Sequence, residues 1–195
     1  MKRRDAIHRI SAILGGTILG ADSLLARQID WEAIEALPEG ARIGLFSGKQ
    51  IRLLNEIAET ILPETGTPGA KAAKVGQFMA VIVSDCFEDD EQQIFLNGLN
   101  TLQENYKKQY GKPYQRCIPK QRTEFLAQLD AEQKAYYKNR KAGDPPHYFR
   151  QIKDLTLWGY FTSEIGATQA LRMVEVPGRY EGCVPYAPGD RAWGG

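Results

Sequence analysis

Histidine and paired cysteines are scarce in this chain of 195 residues. It has two histidines, His8 and His147, and its three cysteines form no Cys-x-x-Cys or Cys-x-x-Cys-His spacing. These absences exclude a zinc ribbon, a redox dithiol and covalently attached haem, and argue against a multi-histidine metal site. A Ser-His-Asp triad would depend on His147 alone within the folded domain, and no serine lies in a nucleophile-elbow sequence.

The chain also lacks phosphate-binding glycine loops and a strong charge of one sign. No Gly-x-Gly-x-x-Gly follows a strand pattern and there is no Walker loop, so nothing supports dinucleotide or phosphate binding. The formal net charge is +1, and residues 1–26 contribute four of the basic side chains. Proteins that bind nucleic acids usually present a basic face. We therefore expect no nucleic-acid partner and no cofactor in this chain.

No long hydrophobic run is present, and this limits what the N-terminus can be. The apolar stretch 10–21 is interrupted by serine, threonine and glycine, and it is shorter than the roughly 20 apolar residues that span a bilayer. Arg3 and Arg4 precede it, as in a twin-arginine export signal, which addresses folded proteins to the periplasm. We predict a signal segment at 1–26, either cleaved near 23–26 or retained, with membrane association left open. The alternative is an amphipathic cytosolic N-terminus.

The rest of the chain reads as one domain of helices. A single domain of this length can bury a core without metal or dense disulfides. We predict a linker at 27–46, a helical domain at 47–175 and an extended tail at 176–195, rich in aromatics, proline and glycine. The fold class is all-α, a compact orthogonal bundle of about six helices with an irregular C-terminal tail. The predicted helices run from Ser47 to Pro63, over 75–87 (with a strand as the alternative), from 88 to 111, from Pro119 to a break at Asp130, from an Asp130 and Gln133 capping-box variant toward Tyr136 and Tyr137, and from the Asp144-Pro145-Pro146 cap.

The three cysteines are an odd set, which in an oxidising compartment suggests one bridge and one remaining thiol. Cys86 and Cys117 lie beside helical segments, whereas Cys183 lies in the tail. We predict a Cys86–Cys117 disulfide with Cys183 left over. The alternative is three buried thiols.

Large aromatic side chains are concentrated toward the C-terminus. They crowd the segment 148–161, where such side chains more often form part of the core than a binding surface, and they recur in the tail among prolines and glycines. Such a tail cannot form its own core, so it must pack on its own domain or on a partner. The predicted partner-binding residues are Trp158, Tyr160, Phe161, Tyr180, Cys183, Tyr186 and Trp193.

Two blocks of sequence resemble gluconate 2-dehydrogenase subunit 3 proteins. The first is 59–63 with 67–73, and the second is 155–167 with 177–186. The resemblance implies a small, helical, non-catalytic subunit that accompanies a large flavin-dependent dehydrogenase of the glucose-methanol-choline (GMC) type. FAD is expected in that partner, a cytochrome c can be a further subunit, and the twin-arginine machinery is the expected export partner. The signal of this chain could then carry both subunits.

The resemblance does not specify the substrate. After the aromatic block this chain continues as residues 163–168, Ser-Glu-Ile-Gly-Ala-Thr, rather than a Gly-Gly-Asn type sequence, which disfavours gluconate itself. Sugars, polyols and glycosides, including those oxidised at the third carbon, are the expected substrate class of the complex. Two alternatives remain: a stand-alone carbohydrate-active enzyme using Asp85, Glu88 or His147, and a carbohydrate-binding module with Trp158 and Trp193 as stacking platforms.

Overall fold

The described part of the chain begins with a short hairpin. The computed structural model describes residues 42–174, 176, 178–179 and 182–194. Strand β1 (Arg42–Ile43) pairs antiparallel with β2 (Phe46–Ser47) around a turn in which Gly44 has a φ of 52°. Phe46 is fully buried and packs edge-to-face on Phe95, with ring centroids 5.8 Å apart. The prediction of a linker is therefore wrong for residues 42–46, because this hairpin contributes a side chain to the core.

Helix α1 (Gly48–Ile61) begins where the sequence predicted. Ser47 is its N-cap, and a capping box joins it to Gln50: the Gln50 N–H donates to Ser47 Oγ, and the Ser47 N–H donates to Gln50 Oε1 at 2.9 Å. The helix ends before Pro63, which cannot continue the ladder of backbone hydrogen bonds. One face, which includes Ile51, Leu54 and Ala58, is buried.

Helix α2 (Val75–Cys86) is α-helical, so the strand alternative is wrong. It packs closely against α1 at Gly76, whose N–H donates to Asn55 Oδ1 at 2.9 Å in the buried interface. A Cβ atom on Gly76 would lie 2.5 Å from that oxygen, so only glycine fits this approach. The β-branched residues of α2 are accepted here because tertiary packing outweighs their helix propensity.

Helix α3 (Asp89–Tyr110) follows the acidic block, as predicted. Glu88 is its N-cap, and Asp89, Asp90 and Glu91 occupy the first turn, where the positive end of the helix dipole favours carboxylates. The helix ends at Gly111, which has the left-handed φ of 69° that glycine accepts readily. A 3-10 turn (Tyr114–Arg116) then leads to the next helix.

Helix α4 (Pro119–Asn139) starts at Pro119 as predicted but does not break at Asp130. The Asp130 carboxylate does not cap a new helix. It pairs with Lys134 at 2.6 Å, one turn along α4, and with Lys153 at 2.5 Å. These two ammonium groups hold the pKa of Asp130 down to about 2. The predicted restart is wrong because the aspartate is used in ion pairs at the helix surface.

Helix α5 (Tyr148–Phe161) begins later than the Asp-Pro-Pro pattern predicted. The N-cap is His147, whose Nδ1 accepts the N–H of Phe149 at 3.2 Å. Asp144 instead accepts the N–H of Lys141 at 2.8 Å and closes a turn before the prolines. A five-residue π-helix (Gly166–Ala170) follows α5.

The helices enclose one hydrophobic core, and the all-α prediction is confirmed. The described residues contain five α-helices, fewer than the predicted six because α4 is continuous. None of these helices is both long and apolar enough to cross a membrane. The predicted signal, with Arg3 and Arg4, lies outside the described residues. The largest fully buried side chains are Tyr106, Tyr114, Phe46, Phe95, Phe149, Leu53, Leu54, Ile57, Met79, Leu99, Leu102 and Ile152.

Candidate functional site

The first family-like block closes a loop rather than forming a reactive site. Glu59, on α1, accepts the N–H of Glu64 at 2.9 Å with one oxygen and the N–H of Lys71 at 2.8 Å with the other. Gly69 lies against the same carboxylate, so a Cβ atom there would come within 2.3 Å of it. Both oxygens of Glu59 are thus occupied by the backbone of the loop that joins α1 to α2.

A second carboxylate of α1 is neutralised by two cations. Glu56 pairs with Lys71 at 2.8 Å and with Arg122 of α4 at 2.6 Å. Burial raises the pKa of Glu56, but the ion pairs with Lys71 and Arg122 outweigh it and hold that pKa below its ordinary value. Arg122 also donates to the carbonyl of Gln115 at 2.8 Å. These groups tie the helices together, and within the described ranges no three metal-ligating side chains come together in a candidate metal site.

Tyr160 is a core residue, so its predicted role in binding a partner is corrected. Its side chain is 4% exposed, and its hydroxyl donates to the carbonyl of Pro68 at 2.8 Å. It thereby joins the second family-like block to the loop of the first. A buried hydroxyl needs such a partner, because an unpaired polar group is costly in the core.

Trp158 and Phe161, on the same helix, are exposed as a partner-binding role requires. Trp158 is 51% exposed and packs edge-to-face on Phe78 of α2, with centroids 5.3 Å apart. Phe161 is 38% exposed. Leu157 lies one turn before Phe161 and is also exposed, so α5 presents apolar side chains to solvent as well as to the core.

Most other large exposed apolar side chains follow in the C-terminal segment. Tyr186 and Trp193 are 71% and 55% exposed, and Cys183 is exposed, whereas Tyr180 lies outside the described residues. We call the large exposed apolar residues between positions 157 and 193 the C-terminal apolar set. Nine of the eleven large exposed apolar residues in the described ranges belong to it. Its members are Leu157, Trp158, Phe161, Met173, Val174, Val176, Val184, Tyr186 and Trp193.

The residues proposed for a stand-alone enzyme do not form a catalytic group. Asp85 and Glu88 are exposed, and Glu88 serves as the N-cap of α3. His147 has its Nδ1 occupied as an N-cap, while its Nε2 lies 3.7 Å from Glu132. The contacts of His147 are therefore with α4 and α5, and 10% of its side chain is exposed.

A groove with a polar rim lies elsewhere. It is a cavity of about 470 Å³ between α3 and α4, and it contains none of the predicted site residues. Gln109 donates to Gln128 across it at 3.3 Å, so part of its polar lining is already satisfied. The lining residues are Asn105, Lys108, Gln109, Phe125, Gln128, Leu129 and Glu132.

The predicted disulfide is absent from the structure. Cys86 is an exposed free thiol at the end of α2, whereas Cys117 is a buried free thiol beside the 3-10 turn. The alternative of three buried thiols holds only for Cys117, because Cys183 is exposed as well. Both cysteines lie near helix ends in the sequence, as predicted, but this does not place their sulfur atoms together. A disulfide requires the two Cα atoms to lie within about 7 Å of each other.

A helical domain with internally paired charges and a set of exposed apolar side chains is typical of a subunit that binds another protein. The chain matches the family described as gluconate 2-dehydrogenase subunit 3 over residues 48–178, more than half of its length. It belongs to that family, whose members are accessory subunits of a dehydrogenase complex. Neither the curated proteins nor the solved structures contain a significant match. Residues 179–194 of the tail lie beyond the matched range.

Proposed function

We propose that this chain is the non-catalytic small subunit of a flavin-dependent dehydrogenase, and that it binds the large GMC-type subunit through its C-terminal apolar set. The observation that carries the proposal is the exposure of these side chains in a chain whose family is a subunit of a complex. A soluble domain rarely leaves so many large apolar side chains in water without a partner to cover them.

The chemistry of the exposed residues suits a protein interface. Tryptophan and tyrosine are enriched among the side chains that dominate binding energies, since each buries a large area with few rotatable bonds. Trp158 and Tyr186 are the two most suitable anchors, because one is fixed against Phe78 and the other extends from the tail. The aliphatic side chains beside them in the sequence would exclude water around these anchors.

The oxidation itself is assigned to the large subunit. This chain has no dinucleotide-binding motif, so FAD is placed in the partner, where it would accept a hydride from a sugar, polyol or glycoside. A cytochrome c subunit would be a suitable electron acceptor. The small subunit then acts on folding, stability and export of its partner.

Export is the second part of the proposed role. Arg3 and Arg4 precede a weakly apolar segment, and the twin-arginine machinery moves folded cargo. A small subunit that binds the large one in the cytoplasm would carry it to the periplasm on a single signal. Replacing Arg3 and Arg4 by lysine should leave both subunits in the cytoplasm, and undiminished periplasmic dehydrogenase activity would contradict this role.

The binding role is tested by co-expression with a GMC-type flavoprotein from the same genome as the candidate large subunit. We expect dehydrogenase activity and a stable complex with the wild-type chain, and loss of both without it. Trp158→Ala should weaken the complex, whereas Lys120→Ala, which removes an 81% exposed charge on α4, is the matched control. Equal activity with and without the small subunit would refute the proposal.

A carbohydrate-binding module is the second candidate, because Trp158 and Trp193 are both half-exposed. Titration of the isolated chain with glucose, gluconate and a β-glucoside, followed by tryptophan fluorescence, separates the two. A saturable change in the absence of the large subunit would favour the module. Turnover of a sugar by the chain alone would favour the stand-alone enzyme.

A further inference from the structure

The C-terminal end of the chain folds back on the segment that follows α5. Arg172 and Trp193 form a bridge in which the Arg172 N–H donates to the Ala192 carbonyl and the Gly194 N–H donates to the Arg172 carbonyl, both at 2.8 Å. The guanidinium of Arg172 also pairs with Asp190 at 3.0 Å and lies 5.5 Å from the centre of the Trp193 ring. One arginine thus makes four contacts with residues 190–194.

Four further hydrogen bonds fix the same end of the chain. Arg191 donates to the carbonyls of Thr168 and Gln169, at 3.1 and 2.9 Å, near the end of the π-helix. Asp190 accepts the N–H of Ala187 at 3.0 Å, and its own N–H donates to the Ala187 carbonyl at 3.0 Å, which closes a turn. We call residues 187–194, with Arg172, the C-terminal clasp.

The clasp closes a loop, residues 173–186, whose described residues contribute nothing to the core. No described residue beyond position 170 belongs to the buried core or packs against it as a partly buried hydrophobic. The described part of the loop instead exposes apolar side chains to water, among them Val174, Val176 and Tyr186. Ordering these residues costs conformational entropy, of the order of 1 kcal/mol for each backbone unit, which no burial among the described residues offsets.

We propose that the C-terminal clasp holds the described residues of this loop, 173–174, 176, 178–179 and 182–186, in the conformation that the large subunit recognises, with Arg172 as the positioning residue. This inference rests on the proposed function, since the large subunit is the occupant of the surface. A clasp made of polar contacts leaves the apolar side chains outside, and a pre-ordered loop loses less entropy on binding than a free one. The clasp therefore raises the fraction of chains that are competent to bind.

The first measurement uses the free chain. Arg179 is the only lysine or arginine in the loop, so tryptic cleavage after it reports how often the loop opens. Arg172→Ala and Asp190→Asn should speed this cleavage several-fold, with the thermal unfolding midpoint of the helical domain unchanged. The matched control is Asp154→Asn, which removes an exposed ion pair of similar length, 2.7 Å, on α5. Cleavage at the wild-type rate in both clasp variants would overturn the proposal.

The second measurement is the affinity for the GMC-type flavoprotein used as the candidate large subunit in co-expression. Arg172→Ala should weaken binding about tenfold, mainly through a slower association rate, because fewer free chains have the ordered loop. Arg172→Lys, which restores the charge but not the planar guanidinium, should recover part of the loss. Glu124→Gln, which removes the exposed Lys120–Glu124 ion pair on α4, is the control for binding and should bind within twofold of the wild type.

The outcomes separate this inference from the function on which it rests. If the wild-type chain does not bind the flavoprotein, the proposed function fails and the clasp proposal fails with it. If the wild type binds, Tyr186→Ala weakens binding and Arg172→Ala does not, the function stands and the clasp proposal alone is refuted. A loss caused only by faster dissociation, with no change in association rate, would also refute it.

Discussion

Tyr160 and Tyr186 have the same side chain in opposite environments, and replacing each by alanine should separate stability from binding. Tyr160 is 4% exposed and donates to Pro68 at 2.8 Å, whereas Tyr186 is 71% exposed. We expect Tyr160→Ala to unfold the domain more easily without acting directly on the interface. We expect Tyr186→Ala to leave the domain stable and to weaken the complex.

The magnitudes follow from burial. Removing a fully buried aromatic ring costs about 3–5 kcal/mol, through lost transfer energy and the cavity that remains. For a chain of this size that lowers the unfolding midpoint by about 6–20 °C. A substitution at an exposed position that makes no specific contact stays within about 0.5 kcal/mol. Loss of a tyrosine anchor from an interface weakens binding about 10- to 30-fold.

The assay pairs thermal unfolding of the free chain with surface-plasmon-resonance affinity for the large subunit. Tyr160→Phe serves as a conservative variant that keeps the ring: it removes one hydrogen bond, so a loss of about 1–1.5 kcal/mol in unfolding free energy and an unchanged affinity are expected. The reasoning fails if Tyr186→Ala destabilises the domain as much as Tyr160→Ala does. It also fails if Tyr160→Phe weakens binding as much as Tyr186→Ala.

Three further predictions concern the folded domain. Gly76→Ala should lower the unfolding free energy, measured by urea titration, by about 1–3 kcal/mol, because the added Cβ would meet Asn55. The control is Gly66→Ala, which has open space around it and should change that free energy by no more than about 0.5 kcal/mol. Equal effects of the two variants would contradict the close packing of α1 on α2. Titration with a thiol reagent should modify the exposed Cys86 and Cys183 quickly in the native chain and Cys117 only after unfolding. Fewer than three reactive thiols in the denatured, unreduced protein would show that a disulfide is present after all. The pKa of Asp130 falls from 3.8 to about 2 on folding, so its contribution to stability is present above pH 3.8 and is lost as the pH drops toward 2. Asp130→Asn should therefore reduce the fall in unfolding free energy between these pH values. An unchanged fall would refute the assignment of that pKa to ion pairing in the folded state.

Local signals in the sequence predicted most helix boundaries. Ser47 as an N-cap, the acidic first turn of α3 and Pro119 at the start of α4 each act within a few residues, so their meaning does not depend on the rest of the fold. The predicted break at Asp130 failed for the opposite reason: its lysine partner on α5 is 23 residues away in the sequence. Such a contact depends on how two helices pack, and a pattern of neighbouring residues does not contain it.

The core contribution of residue 46 was missed for a similar reason. A two-residue strand is too short to produce a periodic pattern, and Phe46 is buried by packing on Phe95, far along the chain. The disulfide prediction failed because spacing in sequence says nothing about the distance between two sulfur atoms. Both errors concern long-range geometry, which only the packed structure supplies.

The division within α5 explains why the aromatic helix was only partly understood from its sequence. An apolar stripe on a helix normally identifies the face that packs in the core. In α5, residues 155, 156, 159 and 160 face the core. Residues 157, 158 and 161 are three and four positions apart, so they share the opposite side of the helix and face solvent. Both sides of α5 therefore carry apolar side chains. A count of aromatic residues cannot separate the two faces, and it assigned Tyr160 to the same role as Trp158.

Because Gly159 packs against Phe78 and Phe78 in turn supports Trp158, the exposed face is positioned by the core itself. A partner that covers Trp158 would therefore bind a side chain whose orientation is already fixed, which lowers the entropy lost on association.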